Sequence, residues 1–139
     1  MAVETVTLSV TTNGDGDTID LTPALTAGVR ESGIESGVAT LFIGGSTAGL
    51  TTIEYEPGAV ADMNEVFEGI APRHRDWRHH LRWGDHNGHS HVRAALLGPS
   101  LSVPFIDGDL TLGTWQQVVL VDFDDRPRSR EVVVQLIGE

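Results

Sequence analysis

The sequence predicts an α+β fold: a mostly antiparallel β-sheet or sandwich with two or three helices packed on it, in one small domain spanning residues 1–139. Three observations lead there. About seven to nine short β-branched runs recur along the chain, separated by turns of glycine, proline, aspartate and asparagine. Only two stretches open like helices with a proline at the start, and a third is short. Hairpin signals crowd the C-terminal third, which favours antiparallel neighbours over crossover connections.

Glu4 to Thr12 alternates, with Val6, Leu8 and Val10 on one face, and Asn13-Gly14-Asp15-Gly16-Asp17 turns the chain into a short strand at Thr18 to Leu21. Thr22-Pro23 reads as an N-cap followed by a first-turn proline, opening a helix that Gly33 stops. Gly37 to Ile43 reads as a central strand. The small residues Gly44 to Gly49 follow, either an ordinary connection or a backbone cradle for an anion, without the spacing of a P-loop. Leu50 to Tyr55 resumes a strand, and Glu54 and Glu56 at its end share one face of the pleat as a base or metal pair, or as a solvated pair. Pro57 to Ile70 carries the clearest helical stripe: Val60, Met63, Val66, Phe67 and Ile70.

Ala71 to Asn87 reads as a long irregular segment, a length that in compact domains tends to be functional. Ser90 caps a helix over His91 to Leu97, which Gly98-Pro99 ends. Leu101 to Phe105 and Leu110 to Leu112 form a hairpin about Asp107-Gly108. Trp115 to Phe123 is apolar on both faces and therefore buried, and Asp124 to Arg128 turns the chain into a last strand over Arg130 to Ile137.

Charge is the most unusual bulk feature. Twenty acidic residues face nine basic ones, a net charge of -11, and all nine are arginine. Such self-repulsion destabilises a compact state at low ionic strength and is screened in concentrated salt. A salt-in halophile or a GC-rich genome accounts for the composition. The anionic balance excludes nucleic acid and anionic membrane as partners. No run is apolar enough to span a bilayer, and the first ten residues have neither a basic segment nor a cleavage site, so the expectation is a soluble cytoplasmic protein. With no cysteine, any transition metal must sit on His, Asp or Glu.

Against this background, Trp83-Gly84-Asp85-His86-Asn87-Gly88-His89-Ser90-His91-Val92-Arg93 stands out. It holds three of six histidines with an aspartate, an asparagine and an arginine. Imidazoles bind metals and shuttle protons near neutrality, and Asp, Asn and Arg orient rings or hold phosphate. Arg73, Arg75, Arg78, Arg82 and Arg93, five of nine arginines, fall in this region with Trp77 and Trp83. A local basic region in an acidic chain suits a small anionic ligand.

Four collinear segments carry a resemblance: Ser46-Thr47-Ala48-Gly49-Leu50-Thr51-Thr52-Ile53-Glu54-Tyr55-Glu56-Pro57-Gly58, Gly84 to Ala94, Leu96-Leu97-Gly98-Pro99-Ser100, and Gly113-Thr114-Trp115-Gln116-Gln117. From about Val38 to Glu139 the chain resembles the YjbQ family, also called secondary thiamine-phosphate synthase. The resemblance implies a small α+β homotrimer with sites near subunit contacts. It also implies a weak activity that joins hydroxymethylpyrimidine diphosphate to thiazole phosphate with release of pyrophosphate. Two alternatives stand beside it: a metal-dependent hydrolase of a small phosphorylated metabolite, and a non-catalytic trimer that binds a metal or an anion.

On these grounds His91, His79, Asp85 and Glu54 are the catalytic candidates, with His80 an alternative to its neighbour His79. Ser46, Thr47, Asn87, Arg93 and Gln116 are the substrate-binding candidates. A divalent ion, Zn²⁺ or Mg²⁺, is expected on His79, His91 and Asp85. Trp115 is read as packing. One departure is visible: many members place a histidine before the first motif, and this chain has Gly45 there. The halophile reading predicts an unfolding midpoint that rises between low salt and molar KCl; an unchanged midpoint, followed by circular dichroism, would sink it.

Overall fold

The computed structural model describes residues 1–139. Its elements run β1 (Ala2–Thr12), β2 (Asp17–Asp20), α1 (Thr22–Ser32), β3 (Gly37–Ile43), β4 (Ala48–Ile53), α2 (Pro57–Ile70), α3 (Arg78–Trp83), α4 (Gly88–Leu97), β5 (Ser100–Ile106), β6 (Asp109–Leu110), β7 (Gln117–Asp122) and β8 (Arg128–Gly138). The α+β expectation holds: the strands form two antiparallel sheets, β1-β8-β3-β5-β6 and β2-β7-β4.

The two sheets enclose the main core. Val132, Val134 and Leu136 of β8 and Ala39, Leu41 and Ile43 of β3 meet Leu50 of β4 and Val118 and Leu120 of β7, and α1 adds Leu25 and Val29. The opposite face of β7 carries Val119 and Val121, which pack with Phe123 against Phe67 of α2 and Ala94 of α4. The smaller sheet is thus the middle of three layers. That is why β7 shows an unbroken apolar run where β1 and β8 alternate: a strand covered on both sides has no face for polar residues. Phe67 and Phe123 meet edge to ring at 4.9 Å, and apolar contacts of this kind hold α2 and α4 on the sheet.

Several boundaries differ from the sequence reading, each for a local reason. Leu21, not Thr22, is the N-cap of α1, because the Thr22 hydroxyl accepts the Val118 N–H at 2.9 Å. Gly33 stops that helix in the left-handed region, as expected. Strand β4 ends at Ile53, so Glu54 and Glu56 are not a pair on one pleat. Glu56 instead caps α2, its carboxylate accepting the Gly58 and Ala59 N–H groups. The segment after Pro72 is not wholly irregular, since α3 occupies Arg78–Trp83, which makes four helices where two or three were expected. Helix α4 begins at Gly88, one turn before the expected His91, so His89 and Ser90 are helical. Trp115 lies outside β7 and is 73 % exposed, so it does not pack as expected. No helix is long and apolar enough to cross a membrane.

Candidate functional site

Helix α4 is fixed from beneath. The buried Ser90 hydroxyl donates to the Phe123 carbonyl, and Gly49 of β4 lies so close to the helix end that a Cβ there would stand 2.9 Å from the Gly98 carbonyl oxygen. At the other end the Gly88 N–H donates to Nε2 of His80 at 3.2 Å, so a side chain from α3 supplies the cap that Asn87 does not. Gly88 also packs on Trp77, leaving 2.5 Å to the Trp77 Cβ for any added methyl. These contacts set α3 against α4 and bring His79 onto His91, with ring centroids 4.4 Å apart and planes at 40°.

The two neighbours have different places: His79 lies on His91, while His80 caps the helix. Nδ1 of His79 lies 3.0 Å from Oδ1 of Asp85, yet neither atom has an aligned hydrogen bond. The contact is an ion pair when the ring is protonated, and both atoms are buried. Burial first, and then the adjacent His79, push the pKa of His91 below its ordinary value; a hydrogen bond with the backbone of Ser46 opposes the shift. His91 is therefore neutral at pH 7. Arg75, Trp77 and Arg78 line the same cleft, of about 580 Å³.

Under the cleft lies a buried ionic network. Asp122 accepts from Arg130 Nε at 2.8 Å and Nη2 at 2.9 Å, and from the Thr12 hydroxyl at 2.6 Å. Asp124 accepts from Arg128 Nε at 2.7 Å, the Asp125 N–H at 2.8 Å, the Thr47 hydroxyl at 3.2 Å and Asn87 Nδ2 at 3.4 Å. Both carboxylates are fully buried. Burial alone would raise their pKa values, but these bonds outweigh it and hold both below the usual carboxylate range.

The expected site residues divide accordingly. His91, His79 and Asp85 come together, with Ser46 exposed at the edge beside His91. Thr47 and Asn87 belong to the network, Thr47 also accepting from Arg130 at 2.8 Å. Arg93 is 4 % exposed, pairs with Glu68 and donates to the Ala71 carbonyl at 3.0 Å, so it ties α4 to α2 rather than facing a ligand. Glu54 and Gln116 lie past the far end of β4 and before the start of β7, since Ala48 pairs with Asp122 and Ile53 with Gln117. Within one chain that end is roughly 20 Å from Thr47, at ~3.3 Å per residue. Gln116 braces its own turn, bonding Thr52 and Gly113. Sequence reasoning missed Asp122, Asp124, Arg128 and Arg130. The available signal was an aspartate closing a wholly buried strand and arginines two residues apart opening the next.

The expected metal centre is not formed. No three His, Asp or Glu side chains converge on one point. His79 and His91 lie with ring centroids 4.4 Å apart at a 40° tilt and Asp85 is 3.0 Å from His79 Nδ1, but the three do not form a group that could hold a metal. Gly45, where the resemblance implies a histidine in many members, has φ +97°, with Arg130 Nη1 3.3 Å from where a Cβ would stand. Arginine thus faces the space a third imidazole would use. A further cavity by the Asn13–Thr18 turn has its own carboxylates engaged, Asp17 by the Asn13 N–H and Asp15 by Arg73.

The architecture defines a small three-layer α+β domain with a polar cleft where two short helices meet at one edge of the middle sheet. The chain belongs to the UPF0047 YjbQ-like family, whose model matches residues 6–139. It is 34 % identical to a UPF0047 protein of Methanothermobacter thermautotrophicus over all of this chain and 95 % of that one. It is also 34 % identical to YugU of Bacillus subtilis, covering 95 % of this chain and 98 % of YugU. A YbjQ-like protein of unknown function from Sulfolobus solfataricus superposes with TM-score 0.93 and 31 % identity, covering 99 % of both chains. The expectation of a thiamine-phosphate synthase is corrected here. The family and these relatives are UPF0047 or YbjQ-like proteins, one of them of unknown function, and do not support the synthase name; the metal-binding expectation meets no group of three donors.

A pH prediction comes from His89, which is 1 % exposed; burial first, and then Arg93 and Arg73, lower its pKa to about 4. The unfolded chain binds a proton at His89 near pH ~6.5 that the folded chain refuses. Stability is full above that pH and is lost as pH falls from ~6.5 to about 4. Denaturant midpoints should show this slope in the native chain and a shallower one in His89→Gln; parallel slopes would refute it.

Proposed function

We propose that the His79–Asp85–His91 cleft is an acid–base site acting on a small phosphorylated metabolite. One observation carries the reading. A neutral imidazole, His91, is stacked at 4.4 Å on a second imidazole that has a carboxylate 3.0 Å away, in a cleft lined by two arginines, Arg75 and Arg78, that pair with no carboxylate. Two titratable groups in different environments suit a base and an acid. Arg75 and Arg78 hold the phosphoryl oxygens, and the exposed Ser46 hydroxyl is a further donor at the rim. His91 takes the proton of the attacking water or hydroxyl. His79, with Asp85 beside it, gives its proton to the leaving oxygen.

Charge neutralisation by arginine is the main contribution such chemistry needs from the protein. Release of product from a panel of phosphate esters, with purified protein, is the direct test. His91→Gln should lower turnover by about a hundredfold or more, and Asp85→Asn should lower it less. Binding without turnover in the native chain would leave an anion-binding module instead. A cytoplasmic setting, where phosphorylated metabolites are made and used, belongs to the same proposal.

A homotrimer is the assembly we propose, as the resemblance implies. Its support is the outer face of the five-stranded sheet. Val3, Ile137, Val38 and Pro104 form one cross-strand row and Thr7, Val133, Phe42 and Ser100 another, with the uncharged Thr5, Gln135, Thr40 and Ser102 between. Phe42 is 50 % exposed, and twelve uncharged positions in a chain of net charge -11 make a face suited to burial. Light scattering should give three chains for the native protein and one for Phe42→Asp; a native monomer would overturn the assembly.

A further inference from the structure

A second cavity of about 620 Å³ adjoins the cleft and has no apolar side chain in its wall. Arg75 and Asp76 border both cavities. In a chain with twenty carboxylates, the guanidinium of Arg75 pairs with none of them and lies 4.4 Å over the Trp77 ring. Stacking on an aromatic face fixes the plane of a guanidinium and leaves its N–H edge free for a bidentate oxyanion. Arg73, across the same cavity, is held by Asp15 and adds field rather than a free fork.

The histidines of the wall can be assigned their protons from their partners. Nε2 of His80 accepts the Gly88 N–H, so in the neutral ring Nδ1 carries the proton and is a donor. His89 is the reverse. The Ser90 hydroxyl gives its proton to the Phe123 carbonyl, and its oxygen then accepts from Nε2–H of His89 at 3.4 Å. Nδ1 of His89 is therefore a bare acceptor, and it has no partner in the protein although the residue is fully buried. A buried acceptor without a donor is disfavoured unless a ligand completes it. His74, His86 and Asp125 complete the wall.

We propose that this basin is a second oxyanion subsite, one that takes a phosphoryl group carrying a proton: Arg75 and the imidazole N–H groups bind the bare oxygens, and His89 Nδ1 accepts from the P–OH. The inference deepens the proposed reading, because Arg75 would serve both cavities, but it stands on different histidines. Its consequence is selectivity. Sulfate matches phosphate in shape yet has no proton to give near neutral pH, so it leaves the His89 nitrogen unpartnered.

The test is calorimetric titration of the native protein with inorganic phosphate and, separately, with sulfate. Phosphate should bind about tenfold more tightly than sulfate, the ratio expected for one buried hydrogen bond gained or lost. His89→Phe should abolish that preference. The exposed His86→Gln, which leaves the core untouched, should weaken phosphate binding severalfold. His91→Gln should leave binding intact, so failure of the acid–base reading and failure of the subsite give different results. Equal affinity for the two anions, no phosphate binding, or binding lost in His91→Gln while kept in His86→Gln would overturn the subsite.

Discussion

The structure depends on two aspartates that sit fully buried at the edge of the middle sheet. Asp122 and Asp124 are tolerable there only because Arg128, Arg130, Thr12, Thr47, Asn87 and backbone N–H groups give their oxygens partners. Those partners come from the end of β1, the β3–β4 connection, the start of α4 and the start of β8. One ionic cluster thus gathers the chain segments that border the cleft. Taking one partner away would leave a buried charge uncompensated, so the cluster holds its members in a single arrangement.

Seven of the nine arginines have one of two fates, while Arg78 and Arg126 have neither a carboxylate nor a ring partner. Arg73, Arg93, Arg128 and Arg130 join elements through carboxylates, and Arg30 does so at the surface. Arg75 and Arg82 instead lie over tryptophan rings, at 4.4 and 5.1 Å. In a chain with twice as many carboxylates as arginines, cations that remain unpaired mark where the protein keeps positive charge available. Three of the four, Arg75, Arg78 and Arg82, fall in the segment around α3 beside His79 and give an acidic molecule a local attraction for anions.

The stacking of His79 on His91 also separates this site from a metal centre. A metal needs several donors around one point, and no such group of His, Asp or Glu side chains forms about these tilted rings. At the remaining corner Gly45 offers no side chain, and the Arg130 guanidinium stands nearby. That guanidinium is bound to Asp122 through Nε and Nη2, so the corner belongs to the buried ionic network.

Much of the fold was legible in the sequence because it rests on local periodicity. The alternation of β1 and β8, the stripe of α2, the first-turn prolines at Pro23 and Pro57 and the left-handed stop at Gly33 are short-range facts that side-chain spacing records. The unbroken apolar run of β7 announced burial on both faces, and the density of histidines announced the segment of the site. Distant partners decided the rest. The cap for α4 comes from His80, eight residues away, so the helix starts a turn early and turns His89 inward. Arg93 seemed suited to phosphate until Glu68, from another helix, engaged it. Glu54 and Gln116 are near the site in the motifs but at the wrong end of an extended strand. Composition and periodicity determined the layers of this protein, because they depend on each residue's own preference for water or for a helical or extended backbone. Which charges are neutralised, and which remain free for a ligand, only the tertiary structure decided, because that depends on partners far apart in the chain, 110 residues for Thr12 and Asp122.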